Sequence, residues 1–182
     1  MDSPYKLTST KNVYRNPWLS VREDQLVDAA GKEKMFGIVN MKSGSTILAL
    51  TENQEIFLVR EFKYGIGRET LELPSGAIEN SETPFAAAKR ELEEETGYQA
   101  DRWIDAGMID PFTTVINSPN YLFIALNLRK THQQLDEGEQ LTVERVSFGR
   151  AMDMVMRSEM THGASCVLLL KAKELLRKEG IV

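Results

Sequence analysis

The sequence predicts an α/β (α+β) fold in which a mixed β-sheet is sandwiched between helices, with an N-terminal antiparallel β subdomain ahead of it. Three observations predict this. Strand-like stretches lie on both sides of one sharply punctuated helix, two helical stretches close the chain, and the first forty or so residues hold only short extended segments. With 182 residues, 42% of them hydrophobic and 27% charged, the chain has apolar material for one ordinary domain plus a small appendage. We therefore divide it into an N-terminal β-rich part, 1–43, and a main domain, 44–182.

Taken in order, Leu19–Asp28 and Lys34–Met41 flank the turn-forming Ala29-Ala30-Gly31, a hairpin signal. A second pair, Thr46–Thr51 and Glu55–Glu61, flanks Glu52-Asn53-Gln54. Ile56 and Leu58 occupy one side of its second strand and Phe57 and Val59 the other, so that strand is expected to be covered on both faces. After Leu71-Glu72-Leu73-Pro74-Ser75-Gly76 comes the helix: Thr83 is the N-cap candidate, Pro84 the first helical residue and Gly97 the stop. Phe85, Ala88 and Leu92 recur at helical spacing and supply its packing face. Further strands are expected at Trp103–Ile109, Tyr121–Leu126 and Thr142–Phe148, and helices at about Gly149–Arg157 and Ala164–Lys178. Met152, Met154 and Met156 read as core filler and Cys166 as a small buried hydrophobe.

Charge and composition exclude several functions. Lys and Arg total 22 against 27 Asp and Glu, a formal charge of -5, which argues against gripping DNA or RNA through a basic surface. A lone cysteine forms no intramolecular disulfide, and one cysteine with two histidines, His132 and His162, makes a poor soft-metal centre. The first twenty residues contain no signal-like apolar stretch, and the longest apolar run, Tyr121–Leu126, is too short to span a membrane. A cytoplasmic location and no membrane partner are expected. The acidic excess is also concentrated: Leu71–Tyr98 holds seven acidic residues against Lys89 and Arg90, while the remaining 20 basic and 20 acidic residues balance.

That segment carries the chemistry. Residues three and four apart on a helix share a face, so Glu91, Glu94 and Glu95 stand side by side and repel one another. Such a face is either simply hydrated or placed against a hard divalent cation, which takes oxygen ligands and arrives with phosphates. Arg90, four residues before Glu94, can brace it. The register Gly76-x5-Glu82-x7-Arg90-Glu91-Leu92-x-Glu94-Glu95-x-Gly97 resembles the signature of the Nudix hydrolase family at every fixed position, over a box spanning 76–98 in which Tyr98 replaces the usual aliphatic. So many fixed identities arise by accident less than about once in a million chains of this length.

The resemblance implies a Nudix fold and Mg2+-dependent hydrolysis of a nucleoside diphosphate linked to another group, with Mn2+ able to substitute. It implies that Glu91, Glu95 and the carbonyl of Ser75 are metal ligands, that Glu94 binds metal directly or through water, and that Glu82 acts less directly. Leu58–Tyr64, Leu71–Gly76 and the N-terminal strands look like the branch of ADP-ribose and nucleotide-sugar pyrophosphatases, whose N-terminal subdomain crosses a homodimer interface. On that reading Arg60 and Lys63 are candidate phosphate contacts, against the alternative that they solubilise a strand end. Glu137, in the acidic stretch Asp136–Glu139, is the first candidate for general base, and Glu139 the second or a further metal ligand. Trp18 is a candidate for stacking on the base, with packing as the alternative. Asn117-Ser118-Pro119-Asn120 departs from the Ser-Pro-Gly and following Glu of ADP-ribose enzymes, which leaves a broader nucleoside diphosphate sugar range open. Two other readings compete: a hydrolase of nucleoside triphosphates or capped RNA, and a non-catalytic nucleotide-sensing module on the same fold.

Overall fold

The computed structural model describes residues 3–135 and 140–181, so the stretch Asp136–Glu139, with both candidate bases, lies outside the described residues. The chain divides into two units, Met1–Ser43 with Asp110–Pro119, and Gly44–Ile109 with Asn120–Val182. In the first, strands β1 (Tyr5–Arg15), β2 (Leu19–Asp28) and β3 (Glu33–Met41) form an antiparallel meander. The expected hairpin is β2–β3, closed where the Asp28 carboxylate accepts from the amides of Ala30 and Lys32 and Gly31 takes a φ of 79°. β1 is one continuous strand of 11 residues, longer than the short segments expected, and exposed along its whole length. Because none of its residues is buried, hydrophobic alternation could not reveal it.

The second unit begins with β4 (Gly44–Ala49), β5 (Glu55–Lys63), a single 3₁₀ turn at Tyr64–Ile66, β6 (Arg68–Glu72) and β7 (Ser75–Ala77). After the helix α1 (Pro84–Thr96) come β8 (Tyr98–Ile109), β9 (Ile116–Asn117), β10 (Asn120–Lys130) and β11 (Leu141–Ser147), then α2 (Phe148–Met156) and α3 (Gly163–Lys178). β9 belongs to the first unit, where it pairs parallel with β3. The others form two sheets, ordered β7-β4-β10-β8 and β11-β5-β6, the first mixed because β10 is parallel to β4 and antiparallel to β8.

The second hairpin expected from sequence is not formed. β4 and β5 go to different sheets and are joined by one bridge, Leu50 to Ile56. Both edges of β4 are already taken, by β7 and β10, so β5 finds its partners in β6 and β11.

Alternation along the central strands explains why they are apolar on both sides. Ile47, Ala49, Phe57, Phe123 and Ala125 pack with Ala88 and Leu92 of α1. Leu48, Leu50, Ile56, Leu58, Leu122 and Ile124 pack with Leu168, Leu169, Ala172 and Leu176 of α3. α1 keeps the expected punctuation: Thr83 Oγ1 accepts from the Ala86 amide at 3.1 Å, and Gly97, at φ 70°, donates its N–H to the Glu93 carbonyl. Phe85 keeps to the expected packing face at its rim, 38% exposed, meeting Trp103 edge-on and Phe123 at a tilt. Of the three methionines read as filler, Met154 is buried and Met156 is 73% exposed, since residues two apart on a helix point in nearly opposite directions. Cys166 is half-buried rather than buried, its thiol donating to the Met160 carbonyl. Among the described residues no helix is long and apolar enough to cross a membrane.

Ile124 has no exposed surface and sits between the two neighbours of its strand, opposite Leu48 and Ile104. Ile124→Ala should lower stability by about 2–5 kcal/mol, whereas Met156→Ala should stay within about 0.5 kcal/mol of the parent, both measured by urea unfolding.

Candidate active site

α1 sets the site because its buried stripe ends in a charge. Ala88, Leu92 and Glu95 lie on one helical face, and Glu95 is only 7% exposed, where the period calls for an apolar residue. A carboxylate in that place needs donors. One is the Ser75 amide, 2.9 Å from Glu95 Oε2, in the strand that leads away from Pro74. A positive field adds to it: Lys63, which bonds to Glu61 and lies 3.9 Å from Glu72, also interacts with the Glu95 charge through space. Burial works against the Lys63 charge, but the Glu61 hydrogen bond and the fields of Glu72, Glu61 and Glu95 outweigh it and hold the ammonium above its ordinary range.

The rest of the acidic face is organised by Arg90. Its Nε and Nη2 reach the two Glu82 oxygens at 3.1 and 3.0 Å, and Nη1 reaches Glu91 at 2.7 Å and Glu94 at 2.8 Å. Nη2 also donates to the Ala77 carbonyl at 3.0 Å. Hydrogen bonding to Arg90 therefore lowers the Glu82 carboxyl below its ordinary value of 4.5, while Glu82, Glu94 and Glu91 raise the guanidinium further. Gly76 passes so close to the helix that a Cβ there would lie 2.0 Å from Glu91 Oε1. The glycine at that position is thus a space requirement of the carboxylate beside it.

The structure brings Ser75, Glu82, Arg90, Glu91, Glu94 and Glu95 into this one cluster. Lys63 faces the small cleft that Ser75, Glu72 and Glu95 also line. Arg60, three residues earlier on β5, points away from Lys63 and is taken by Glu144 at 2.6 Å and Glu69 at 3.8 Å. Trp18 is in the other unit and 71% exposed. Sequence reasoning missed Glu72, which is 8% exposed, accepts from Thr70 Oγ1 at 2.7 Å and lies 3.4 Å from His162 Nδ1. An acid between two leucines, Leu71-Glu72-Leu73, was the available signal that this charge is buried and partnered. Burial pushes the His162 imidazole below its ordinary value despite that carboxylate.

The donors suit a hard cation. They are all oxygen, and Gly76 leaves the Glu91 carboxylate room beside the main chain. Among the described residues no three His, Cys, Asp or Glu groups would hold an ion by themselves. Mg2+ does not require that, because it binds through one or two carboxylates together with waters and substrate phosphates.

Comparison with known proteins gives the following. The model of the NUDIX domain matches residues 41–168, and that of the nucleoside diphosphate sugar hydrolase N-terminal domain matches residues 5–39. The ADP-ribose pyrophosphatase of Bacillus subtilis is 30% identical over 159 residues, covering 82% of this chain and 83% of that protein. The methanol dehydrogenase activator of Bacillus methanolicus is 24% identical over 179 residues, covering 94% and 95%. Among solved structures, an ADP compounds hydrolase superposes with a TM-score of 0.87 at 20% identity, covering 99% of this chain and 98% of that one, and so has the same fold.

The Arg90 network carries a pH signature. With its folded value below 4.5, Glu82 contributes stability that is complete above that value and lost as the pH falls through the lower folded one. The stability gap between the parent and Arg90→Met should therefore stay constant at pH values above 4.5 and narrow as the pH falls below it, with the Glu82 carboxyl titrating higher in the variant by carbon NMR. A gap that keeps its size below that value as well would show that the network does not stabilise the fold through Glu82.

Proposed function

Because the chain belongs to the Nudix family, we propose that it hydrolyses the diphosphate of a nucleoside diphosphate sugar, ADP-ribose or a relative, to a nucleoside monophosphate and a sugar phosphate. The observation that carries this reading is the carboxylate cluster of α1, braced by Arg90 against the strand Ser75–Ala77. Support for the substrate class comes from the match of residues 5–39 to the nucleoside diphosphate sugar hydrolase N-terminal domain and from the Bacillus subtilis relative.

Hydrolysis in this family needs a divalent cation, here Mg2+, with Mn2+ able to replace it. Glu91, Glu95 and the Ser75 carbonyl would hold it, with Glu94 directly or through water and Glu139 as a further ligand. When bound, the cation neutralises diphosphate charge, polarises a P–O bond and makes water a better nucleophile. Arg90 keeps three carboxylates oriented toward that centre and stops them from repelling one another apart. Lys63, whose ammonium stays charged in the cleft beside Glu95, meets phosphate oxygens. Arg60 is the weaker phosphate contact because it faces away from that cleft, toward Glu144 and Glu69. Glu137 takes the proton from the attacking water, with Glu139 as the alternative base, and Trp18 stacks on the nucleoside base through its exposed ring. The protein works as a homodimer, for which the exposed edge strand β1 offers unpaired backbone groups. Its single cysteine suits a reducing cytoplasm.

The test is a panel of nucleotide sugars incubated with Mg2+, with phosphate measured with and without alkaline phosphatase. Intact diphosphodiesters resist the phosphatase and the monoester products do not, so phosphatase-dependent release is expected, strongest for the preferred sugar and abolished by a chelator. No release from any nucleotide sugar would overturn the reading. Glu95→Gln should lower kcat at least about a hundredfold with the fold intact by circular dichroism. Glu137→Gln should keep cation binding and lose rate, and a larger loss in Glu139→Gln would transfer the base to that residue.

A further inference from the structure

We infer that Ser165, in the first turn of α3, is a positioning residue for the loop that presents the Ser75 carbonyl, an inference that rests on the cation site proposed above. The geometry begins with a backbone need. Leu73 falls between β6, which ends at Glu72, and β7, which begins at Ser75, so no strand neighbour receives its amide. Leu73 has no exposed surface, and a buried N–H without an acceptor is costly. Ser165 Oγ supplies the acceptor at 2.9 Å, and Ser165 is likewise fully buried. That hydroxyl is itself held, 2.8 Å from Nδ1 of His162, the N-cap residue of α3, which in turn lies 3.4 Å from Glu72 Oε2. One end of α3 thus holds the Leu73 main chain and lies against the Glu72 side chain.

The two residues after Leu73 are tied elsewhere. The Pro74 carbonyl accepts from the Ile47 amide of β4 at 2.8 Å, and the Ser75 amide donates to Glu95 Oε2 of α1 at 2.9 Å. Three consecutive residues are therefore anchored to three different elements, α3, β4 and α1. Ser75 is also paired with Thr46 where β7 meets β4, so the segment is held firmly on its Ser75 side. The Ser165 anchor holds the other side, at Leu73, and so limits how far the Ser75 carbonyl can shift against Glu91 and Glu95. Removing the hydroxyl takes away one buried oxygen and opens little space, so its main effect falls on the loop and less on the core.

The experiment is Mn2+ binding to the substrate-free protein by electron paramagnetic resonance, compared across three variants with their thermal unfolding. Ser165→Ala should bind Mn2+ about tenfold or more weakly than the parent. Leu169→Ala, a core truncation on the same helix, should be the less stable protein yet bind Mn2+ within about twofold of the parent. Glu95→Gln should lose the ion. If Ser165→Ala binds as the parent does while Glu95→Gln does not, the positioning role is overturned and the cation site stands. If Leu169→Ala weakens binding as much as Ser165→Ala, general loosening replaces positioning and the inference fails. If Glu95→Gln binds normally, the cation site itself is wrong and this inference falls with it.

Discussion

One guanidinium makes the acidic helix face possible. Glu91 and Glu94 are neighbours on α1 and Glu82 comes from the segment ahead of it, so without a counter-charge they would push the helix entry and the helix apart. Arg90 meets all three with donors fixed in a plane and spends a remaining one on the Ala77 carbonyl. A lysine could neutralise charge there, but three rotating donors on a single nitrogen could not span two carboxylate oxygens, two further carboxylates and a carbonyl. The strand before the helix, the loop into it and two turns of the helix are thereby joined in one piece.

The same helix serves a second purpose, and the two meet at Glu95. Ala88 and Leu92 cover one face of the sheet while α3 covers the other, and the buried stripe of α1 runs on into a carboxylate. Extending apolar packing to that turn would be more stabilising in isolation. What the chain has in its place is a charge whose surroundings are set by the Ser75 amide and the Lys63 field, both rigid parts of the scaffold. The core thus determines the position of the acidic face.

How much of this could be read from the residues depends on the range of the interactions. Thr83, Pro84 and Gly97 act within a few residues of themselves, and they delimited α1 correctly; so did the turn chemistry of the β2–β3 hairpin. The fixed spacing from Gly76 to Gly97 likewise announced the cluster, because helix geometry turns spacing into proximity. The division of β4 and β5 between two sheets was not legible, since it depends on which strands occupy the edges of β4, one of them some 74 residues away. The engagement of Arg60 by Glu144 and of Leu73 by Ser165 are contacts of 84 and 92 residues separation, and no local pattern encodes them. The misreading of Met156 was of another kind: three methionines in alternation match the strand period, and on a helix that period scatters them around the axis.

The first unit is discontinuous in sequence, with Asp110–Pro119 returning to it and β9 lying beside β3 across 77 residues of chain. During synthesis the meander of β1, β2 and β3 can form early, but its fourth strand emerges only after the Gly44–Ile109 part of the second unit has been made. Until then one side of β3 is an open edge, available to any other nascent chain. The boundary after Ser43 is for the same reason a poor place to cut the gene: a fragment starting there would keep β9 and discard the strand it pairs with.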